Sequence, residues 1–174
     1  MLMKIGLVSD SHGNTMALDM MLKTPEGMEA ECWLHAGDFV HDAEYLEMVS
    51  EKKVYMVAGN GDWPYSKAPD DMVVELAGHK ILLTHGHEHG VRYDTEVLEE
   101  NAANLGADIA VYGHTHIVDI TPRGKKGVTI LNPGSIARPR DDSYGSFMLL
   151  DLEPGQEPGV KLIRLDDTEA SMLY

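Results

Sequence analysis

Five short polar segments of this chain carry side chains that bind metal ions or move protons. All five place aspartate, asparagine or histidine beside small residues: Asp10-Ser11-His12, Gly37-Asp38, Gly59-Asn60, His85-Gly86-His87 and Gly113-His114-Thr115-His116. Carboxylate oxygens and imidazole nitrogens this close in sequence suit a divalent metal ion. Two carboxylates, an amide and four or five imidazoles exceed what one ion needs. Such a set suits two transition-metal ions that share a bridging carboxylate.

Each polar segment follows an apolar run with the composition of a buried strand. The five predicted strands cover residues 3–8, 31–35, 54–58, 80–84 and 107–112. Parallel strands of an α/β sheet gather their carboxyl ends on one edge, and ligands bind in the crevice there. Glycine beside the polar residues lets the backbone turn tightly and approach closely. We therefore expect the five segments to converge on one site.

Taken singly, these residues also have purely structural interpretations. Asp10 could cap a helix, and Asp38 and Asn60 are ordinary turn residues beside glycine. Their joint occurrence at successive strand ends favours the functional interpretation. His114 and His116 form the most specific pair, because residues i and i+2 of an extended segment point the same way and both imidazoles could then reach one site.

Three helices are predicted between the strands from the spacing of apolar residues. Asn14 can cap the first helix, which ends at Pro25, and Asp42 can cap the second. The third covers about residues 94–105 and is closed by Gly106.

The remaining segments are predicted as strands or loops. A hairpin joins residues 72–76 to residues 80–84 through Gly78-His79, and Pro64 marks a loop. Beyond residue 116 only strands are predicted, at residues 117–121, 128–131, 145–152 and 160–165. The acidic tail 166–174 receives no assignment.

The length and composition predict one domain over residues 1–174. The formal net charge of -15 disfavours nucleic-acid and anionic-membrane partners, whereas bound metal ions would supply the positive charge for a small phosphorylated substrate. The single cysteine, Cys32, lies in an apolar stretch and is predicted to be buried. Without a signal-peptide core or an apolar run of ~20 residues, the sequence predicts a soluble, cytoplasmic protein. It leaves open whether the chain forms a homo-oligomer.

The polar motifs, in their order and spacing, resemble the calcineurin-like metallophosphoesterase superfamily, and most of all its small YfcE-type phosphodiesterases. The segment Asn132-Pro133-Gly134-Ser135 also resembles one that those proteins carry. The resemblance implies a single α/β domain, built as a four-layer α-β-β-α sandwich of two mixed β-sheets. A strand-rich last third agrees with this, because it needs a second sheet.

The resemblance also implies which residues hold two metal ions. Carried over by position, one ion would take Asp10, His12, Asp38 and His116, and the other would take Asp38, Asn60, His85 and His114. Asp38 would bridge the ions, and Asn60 and His114 would act beside it in catalysis. In this family Mn²⁺ is the usual activating ion of small members, and the ligand set would also accept Zn²⁺, Fe or Ni²⁺.

The implied activity is hydrolysis of phosphate diesters by attack of a metal-bridging hydroxide on a small phosphorylated substrate. One alternative is a phosphomonoesterase with the same site. A second is a non-catalytic protein-interaction scaffold, a role that this fold serves in a retromer subunit with a degraded metal site. The complete ligand set of this chain favours an enzyme.

One position departs from the wider superfamily, which has a histidine directly after the asparagine of the Gly-Asn motif. Here that residue is Gly61, so the group that assists the leaving group is not assigned. Asp62 and His87 are candidates for outer-shell roles around the metals. Arg138, with Arg140 nearby, is a candidate for binding substrate phosphate.

Four further histidines have weaker functional interpretations. His35 is predicted to be structural, and His41 to start the second helix. His79 is predicted to be solvated in a hairpin turn, and His89 to line the entrance of the site.

Overall fold

The computed structural model describes residues 1–62 and 67–166 of the chain. The loop predicted at Pro64 and the tail beyond residue 166 lie outside these ranges. Within them, ten strands form two five-stranded sheets that each contain parallel and antiparallel pairs. This confirms the predicted α/β fold with two mixed sheets.

The first sheet has the order β10-β9-β1-β2-β3. Its strands are β1 (Met3–Val8), β2 (Cys32–His35), β3 (Val54–Met56), β9 (Ser146–Leu152) and β10 (Gly159–Arg164). The first three are parallel, whereas β9 runs antiparallel to both β1 and β10. All three parallel strands therefore end on the same side of the molecule.

The second sheet has the order β4-β5-β6-β8-β7. Its strands are β4 (Asp71–Leu76), β5 (His79–Thr84), β6 (Ile109–Val111), β7 (Asp119–Thr121) and β8 (Thr129–Asn132). Strands β5, β6 and β8 are parallel, and the edge strands β4 and β7 are antiparallel to their neighbours. The predicted hairpin of β4 and β5 is confirmed.

Three clusters of buried apolar side chains show how the layers pack. The central cluster joins the two sheets, with Leu7 from β1 and Ile109 from β6 among its fully buried members. A second packs α1 (Thr15–Lys23) and α3 (Val40–Ser50) on the outer face of the first sheet, and a third packs α4 (Glu96–Asn104) on the second sheet. Helices thus cover both outer faces of the sandwich.

The helix boundaries follow local capping chemistry, with two corrections. Asn14 caps α1 as predicted, since its side chain accepts from the backbone N–H of Ala17 at 3.0 Å. Pro25 does not close that region but begins a second short helix, α2 (Pro25–Glu29), a position where proline lacks only an N–H that would be unpaired anyway. Asp42 does not cap α3, because the helix begins two residues earlier and its carboxylate points towards the loop after β1.

His79 is the clearest correction outside the site. It is buried at the start of β5, with Nδ1 2.5 Å from Oδ2 of Asp108 and Nε2 2.8 Å from the carbonyl oxygen of Glu153. The hairpin turn falls one residue earlier than the sequence indicates. Cys32 is buried, as predicted. Among the described residues, no helix is both long enough and apolar enough to cross a membrane.

Candidate metal centre

The five polar segments converge where the two sheets meet, at the carboxyl ends of β1, β2, β3, β5 and β6. The strand pattern alone predicts that all five segments lie at the edge of one sheet, whereas three follow strands of the first sheet and two follow strands of the second. Backbone hydrogen bonds link neighbouring segments: the N–H of Asp10 donates to the carbonyl oxygen of Gly37 at 2.9 Å, and the N–H of Gly113 donates to that of His85 at 3.0 Å. The N–H of His114 crosses between the sheets and donates to Oδ2 of Asp10 at 3.0 Å.

One group of candidate ligands consists of Asp10, His12 and His116. Their ligand atoms lie within 4.8 Å of one another. Oδ1 of Asp10 is 3.3 Å from Nε2 of His116 and 3.7 Å from Nε2 of His12, and the two imidazole nitrogens are 3.1 Å apart. These atoms point at a common point and can hold one ion.

A second group contains Asp38, Asn60, His85 and His114. Nε2 of His85 is 3.5 Å from Oδ2 of Asp38 and 3.0 Å from Oδ1 of Asn60. Nδ1 of His114 is 3.2 Å from the same Asn60 oxygen. Asp10 lies between the groups, since its Oδ1 is also 3.8 Å from Nε2 of His85. In this geometry Asp10 is the carboxylate near both groups, and the bridging role of Asp38 stays a prediction.

The environment of Asp10 fits a bound cation. Its Oδ1 is buried and has no hydrogen-bond partner among the described residues, whereas Oδ2 accepts from Oγ of Ser9 at 2.6 Å. Burial acts to raise the pKa of Asp10, but the neighbouring imidazoles, His116 first, together lower it below the ordinary aspartate value. A buried, charged oxygen without a donor is costly unless a cation satisfies it. The nitrogen and oxygen donors around it are those that divalent transition metals take.

Most candidate ligands of this centre share a strained backbone conformation. Five candidate ligands have positive φ, namely Asp10 (55°), His12 (47°), Asp38 (43°), His114 (69°) and His116 (61°). Strand β6 ends at Val111, so the predicted extended arrangement of His114 and His116 is wrong. Left-handed turns instead send these two imidazoles to different ligand groups. Strain of this kind persists where the surrounding structure holds it, and it clusters at functional sites.

Outer contacts fix the orientation of two imidazoles. Nδ1 of His85 lies 2.7 Å from the carbonyl oxygen of Ala36, and Nδ1 of His116 lies 2.7 Å from that of Arg138. A carbonyl oxygen only accepts, so each Nδ1 carries the proton and each Nε2 presents its lone pair to the centre.

A buried network behind the centre supports the loop after β1. His35 is fully buried, and burial lowers its pKa to about 4. Its Nε2 lies 3.0 Å from Oγ of Ser11, which donates to Oδ2 of Asp42 at 2.6 Å. The same Asp42 oxygen accepts from the N–H of Gly13 at 2.7 Å. His35 is thus structural, as predicted, whereas Ser11 and Asp42 are supporting residues that sequence reasoning missed.

Arg92 is a third residue near the centre that the sequence does not reveal. Its Nε donates to Nε2 of His114 at 2.8 Å, although Arg92 itself is exposed. Burial, followed by the charges of His85 and Arg92, lowers the pKa of His114 to about 4. His114 is therefore neutral near pH 7, which is the protonation state that a metal ligand requires.

The predicted outer residues take different places. Asp62 supports two loops, because its carboxylate accepts from the N–H groups of Val40 at 2.9 Å and Gly59 at 2.8 Å. The ring of His87 lies 6.0 Å from that of His114, and its buried Nδ1 has no partner among the described residues. Arg138 lines a cavity of about 380 Å³ beside the centre.

The remaining histidines are distributed outside the centre. His41 lies in the first turn of α3, as predicted, and its side chain is 94% exposed. The prediction that His89 lines the entrance is wrong. This residue is buried, with Nε2 3.0 Å from Oδ1 of Asp71 and Nδ1 2.9 Å from Nδ2 of Asn101.

Comparisons with known proteins give one consistent result. Residues 3–155 match the family model of the calcineurin-like phosphoesterase superfamily domain. The chain is 32% identical over 151 residues to "Probable metallophosphoesterase YsnB" of Bacillus subtilis, covering 87% of this chain and 85% of that protein. It is 28% identical over 172 residues to "Phosphodiesterase YfcE" of Escherichia coli, covering 86% and 88%. A Vps29 from Entamoeba histolytica, complexed with Zn²⁺, superposes with a TM-score of 0.73 at 25% identity, covering 94% and 99%.

Proposed function

This chain belongs to the calcineurin-like phosphoesterase superfamily, and we propose that it is a phosphodiesterase that uses two divalent metal ions. The observation that carries the proposal is the unpartnered Oδ1 of Asp10. It is buried among imidazole nitrogens that lie 3.3 to 3.8 Å away. Its surroundings suit a cation, and the family has a metal-dependent chemistry that requires one.

The proposed ligand sets are those expected from the sequence. Asp10, His12, Asp38 and His116 would hold one ion, and Asp38, Asn60, His85 and His114 the other. When bound, the ions supply Lewis-acid polarisation of the phosphoryl group and lower the pKa of the attacking water. We propose Mn²⁺ as the native ion, with Zn²⁺, Fe or Ni²⁺ as alternatives that the same donors accept.

The protein itself contributes position and charge. Nε2 of His85 and of His116 face the centre because their Nδ1 protons are held by backbone carbonyls. The side-chain oxygen of Asn60 lies between His85 and His114, at 3.0 and 3.2 Å. These groups present lone pairs and not protons, so they would hold the ions in fixed positions, and the ions would supply the positive charge that stabilises the transition state.

The substrate is proposed to be a small phosphate diester. The cavity of about 380 Å³ beside the ligands falls within the size range of small-molecule sites. A relative of similar length is named a phosphodiesterase, which supports a diester rather than a monoester. Partners such as nucleic acid are not proposed, because the net charge of -15 opposes them.

The experiment compares a diester with a monoester in the presence and absence of metal. Protein stripped with chelator is assayed on bis(p-nitrophenyl) phosphate and on p-nitrophenyl phosphate, with Mn²⁺ added back to half of the samples. We expect turnover of the diester only with metal, and a loss of at least roughly 100-fold in Asp38→Asn. His41→Ala, an exposed histidine outside the centre, is the matched control and should retain full activity.

Two results would overturn the proposal. Turnover restricted to the monoester would indicate a phosphomonoesterase with the same centre. Metal binding without turnover of either ester would favour the second candidate, a non-catalytic scaffold, to which the superposition with Vps29 points.

A further inference from the structure

Three arginines surround the cavity beside the candidate metal centre. Arg92, Arg138 and Arg140 line it together with His12, His114 and His116. The whole chain contains only five arginines, so most of them are gathered at this one place. The concentration is the more unusual because the chain carries 29 acidic residues and a net charge of -15.

The cavity arginines differ from the other two in their partners. Arg123 forms an ion pair with Glu157, and Arg164 forms one with Asp141. Within residues 1–62 and 67–166, the structure pairs none of the cavity arginines with a carboxylate. Their positive charge is therefore left for an anion that enters from solution.

Hydrogen bonds tie the arginine-bearing loop to the candidate ligands. Oγ of Ser135 donates to the carbonyl oxygen of Asp10 at 2.8 Å and accepts from the N–H of Arg138 at 2.7 Å. The N–H of Arg140 donates to the carbonyl oxygen of His116 at 3.0 Å. The backbone that presents these two guanidinium groups is thus held in register with the centre.

Arg92 approaches from another element of the fold. It follows the 3₁₀ turn at His87–His89 and contacts His114 through its Nε. The cavity is therefore flanked by guanidinium groups from two separate loops. A guanidinium group presents paired N–H donors that match two oxygens of one phosphate, which a lysine does not do.

The number of positive charges exceeds what one diester needs. In the proposed function, the metal ions bind the reacting phosphoryl group, which carries a single negative charge in a diester. We infer that the arginines bind a second, non-reacting phosphoryl group, so that the substrate class is phosphate diesters that also carry a terminal phosphate monoester. This inference rests on the proposed function, and the cavity of about 380 Å³ leaves room for such a group.

The test uses two substrates that differ only in the second phosphate. Metal-loaded protein is assayed on p-nitrophenyl thymidine 5′-phosphate and on the same compound with a 3′-phosphate. We expect a KM that is roughly tenfold or more lower for the compound with the 3′-phosphate. That preference should vanish in the double variant Arg138→Ala/Arg140→Ala and weaken in Arg92→Ala. Arg123→Ala, which removes an exposed arginine outside the cavity, should keep it.

A binding measurement separates this inference from the proposed function. Thymidine 3′,5′-bisphosphate and thymidine 5′-monophosphate are titrated into the same proteins by calorimetry. If neither ester is hydrolysed but the bisphosphate binds more tightly through the arginines, the proposed function fails and the phosphate subsite stands. Equal KM values for the two esters, or a preference that persists in the double variant, would overturn the subsite and leave the phosphodiesterase intact.

Discussion

A Cβ atom on Gly61 would lie 2.6 Å from Cε1 of Phe39, closer than two non-bonded carbon atoms approach. The ring of Phe39 also packs edge-on against His12, with the ring centroids 5.5 Å apart. The N–H of Gly61 meanwhile donates to Oδ1 of Asp38 at 2.9 Å. Phe39 therefore occupies the space that a side chain at position 61 would need, which gives a steric reason for the missing histidine.

We predict that Gly61→Ala weakens metal binding and that Gly61→His does not raise activity. Relieving the overlap would displace Phe39 or Asp38, and overpacking of this kind costs about 1 to 3 kcal/mol, which would correspond to roughly 5- to 150-fold in affinity if all of it fell on the metal-bound state. Calorimetric titration with Mn²⁺ measures the effect. Gly159→Ala, in β10, is the matched control, because its Cβ would meet its nearest atom at 3.3 Å. Higher diester turnover in Gly61→His would contradict the steric explanation.

Metal ions should stabilise the fold through Asp10. At a metal concentration of about 100 Kd, the stability gain is about 2.7 kcal/mol, which raises the melting temperature by roughly 5 to 10 °C. Asp10→Asn should abolish this rise, whereas Glu44→Gln on the surface of α3 should preserve it. In chelator, Asp10→Asn should be no more stable than the wild type, because Oδ2 accepts from Ser9 and His114 and the neighbouring imidazoles lower the pKa of Asp10, which favours the ionised carboxylate near pH 7. Differential scanning calorimetry tests both points, and a full metal-induced shift in Asp10→Asn would exclude this carboxylate as a ligand.

His79→Ala should lower stability without affecting turnover. The ring joins Asp108 to the backbone of Glu153, and losing two buried hydrogen bonds costs about 1 to 3 kcal/mol. His79 begins β5, whereas the candidate ligand His85 follows its other end, roughly 20 Å away along an extended strand. Urea unfolding and a diester assay measure the two effects separately. Lost activity at unchanged stability would show a functional role for His79.

The pair of His89 and Asp71 predicts a pH-dependent stability term. A hydrogen bond to Asp71 raises the pKa of His89 above 6.5, and the same bond lowers the pKa of Asp71 below 3.8. The stabilisation that His89 contributes is therefore complete below about pH 6.5 and is lost as the pH rises through its raised pKa. The stabilisation that Asp71 contributes is lost only as the pH falls through its lowered pKa. Protonation also requires the Asn101 amide to turn its oxygen towards Nδ1.

His89→Gln should accordingly reduce stability more at about pH 5.5 than at about pH 8.5. The difference should stay under about 1 kcal/mol, because the carboxylate is 46% exposed and water screens the pair. Urea unfolding at the two pH values measures it. The exposed His41→Gln should show no such dependence, and a larger loss for His89→Gln at the higher pH would reverse the assigned sign.

The sequence predicts the parts of this fold that depend on local pattern. The strand before Asp10 and the cap at Asn14 follow from apolar runs and from hydrogen bonding within a few residues. The burial of His79 does not, because its partners Asp108 and Glu153 lie 29 and 74 residues away. A histidine next to a glycine turn carries no local signal of contacts that form only when distant loops meet.

The candidate centre also contains some residues that the sequence predicts and others that it does not. The aspartates and histidines are predicted as site residues from their type and their position at strand ends. Arg92 is not, because it is an exposed residue in a polar loop. Its contact with His114 depends on the loop after the 3₁₀ turn lying against the loop after β6, which no local pattern in the sequence specifies. Nor does periodicity reveal the left-handed turns at His114 and His116, since histidine adopts positive φ only where tertiary contacts hold it.

The apolar cluster between the two sheets sets the distance between the halves of the candidate centre. Asp10 and Asp38 follow strands of one sheet, and His85 and His114 follow strands of the other. Metal–ligand distances tolerate errors of only a few tenths of an ångström. The volume of buried side chains such as Leu34 and Ile109 therefore determines whether the ligands from the two sheets have the correct spacing. Substitutions deep in this interior, far from any ligand, therefore have a direct route to metal affinity.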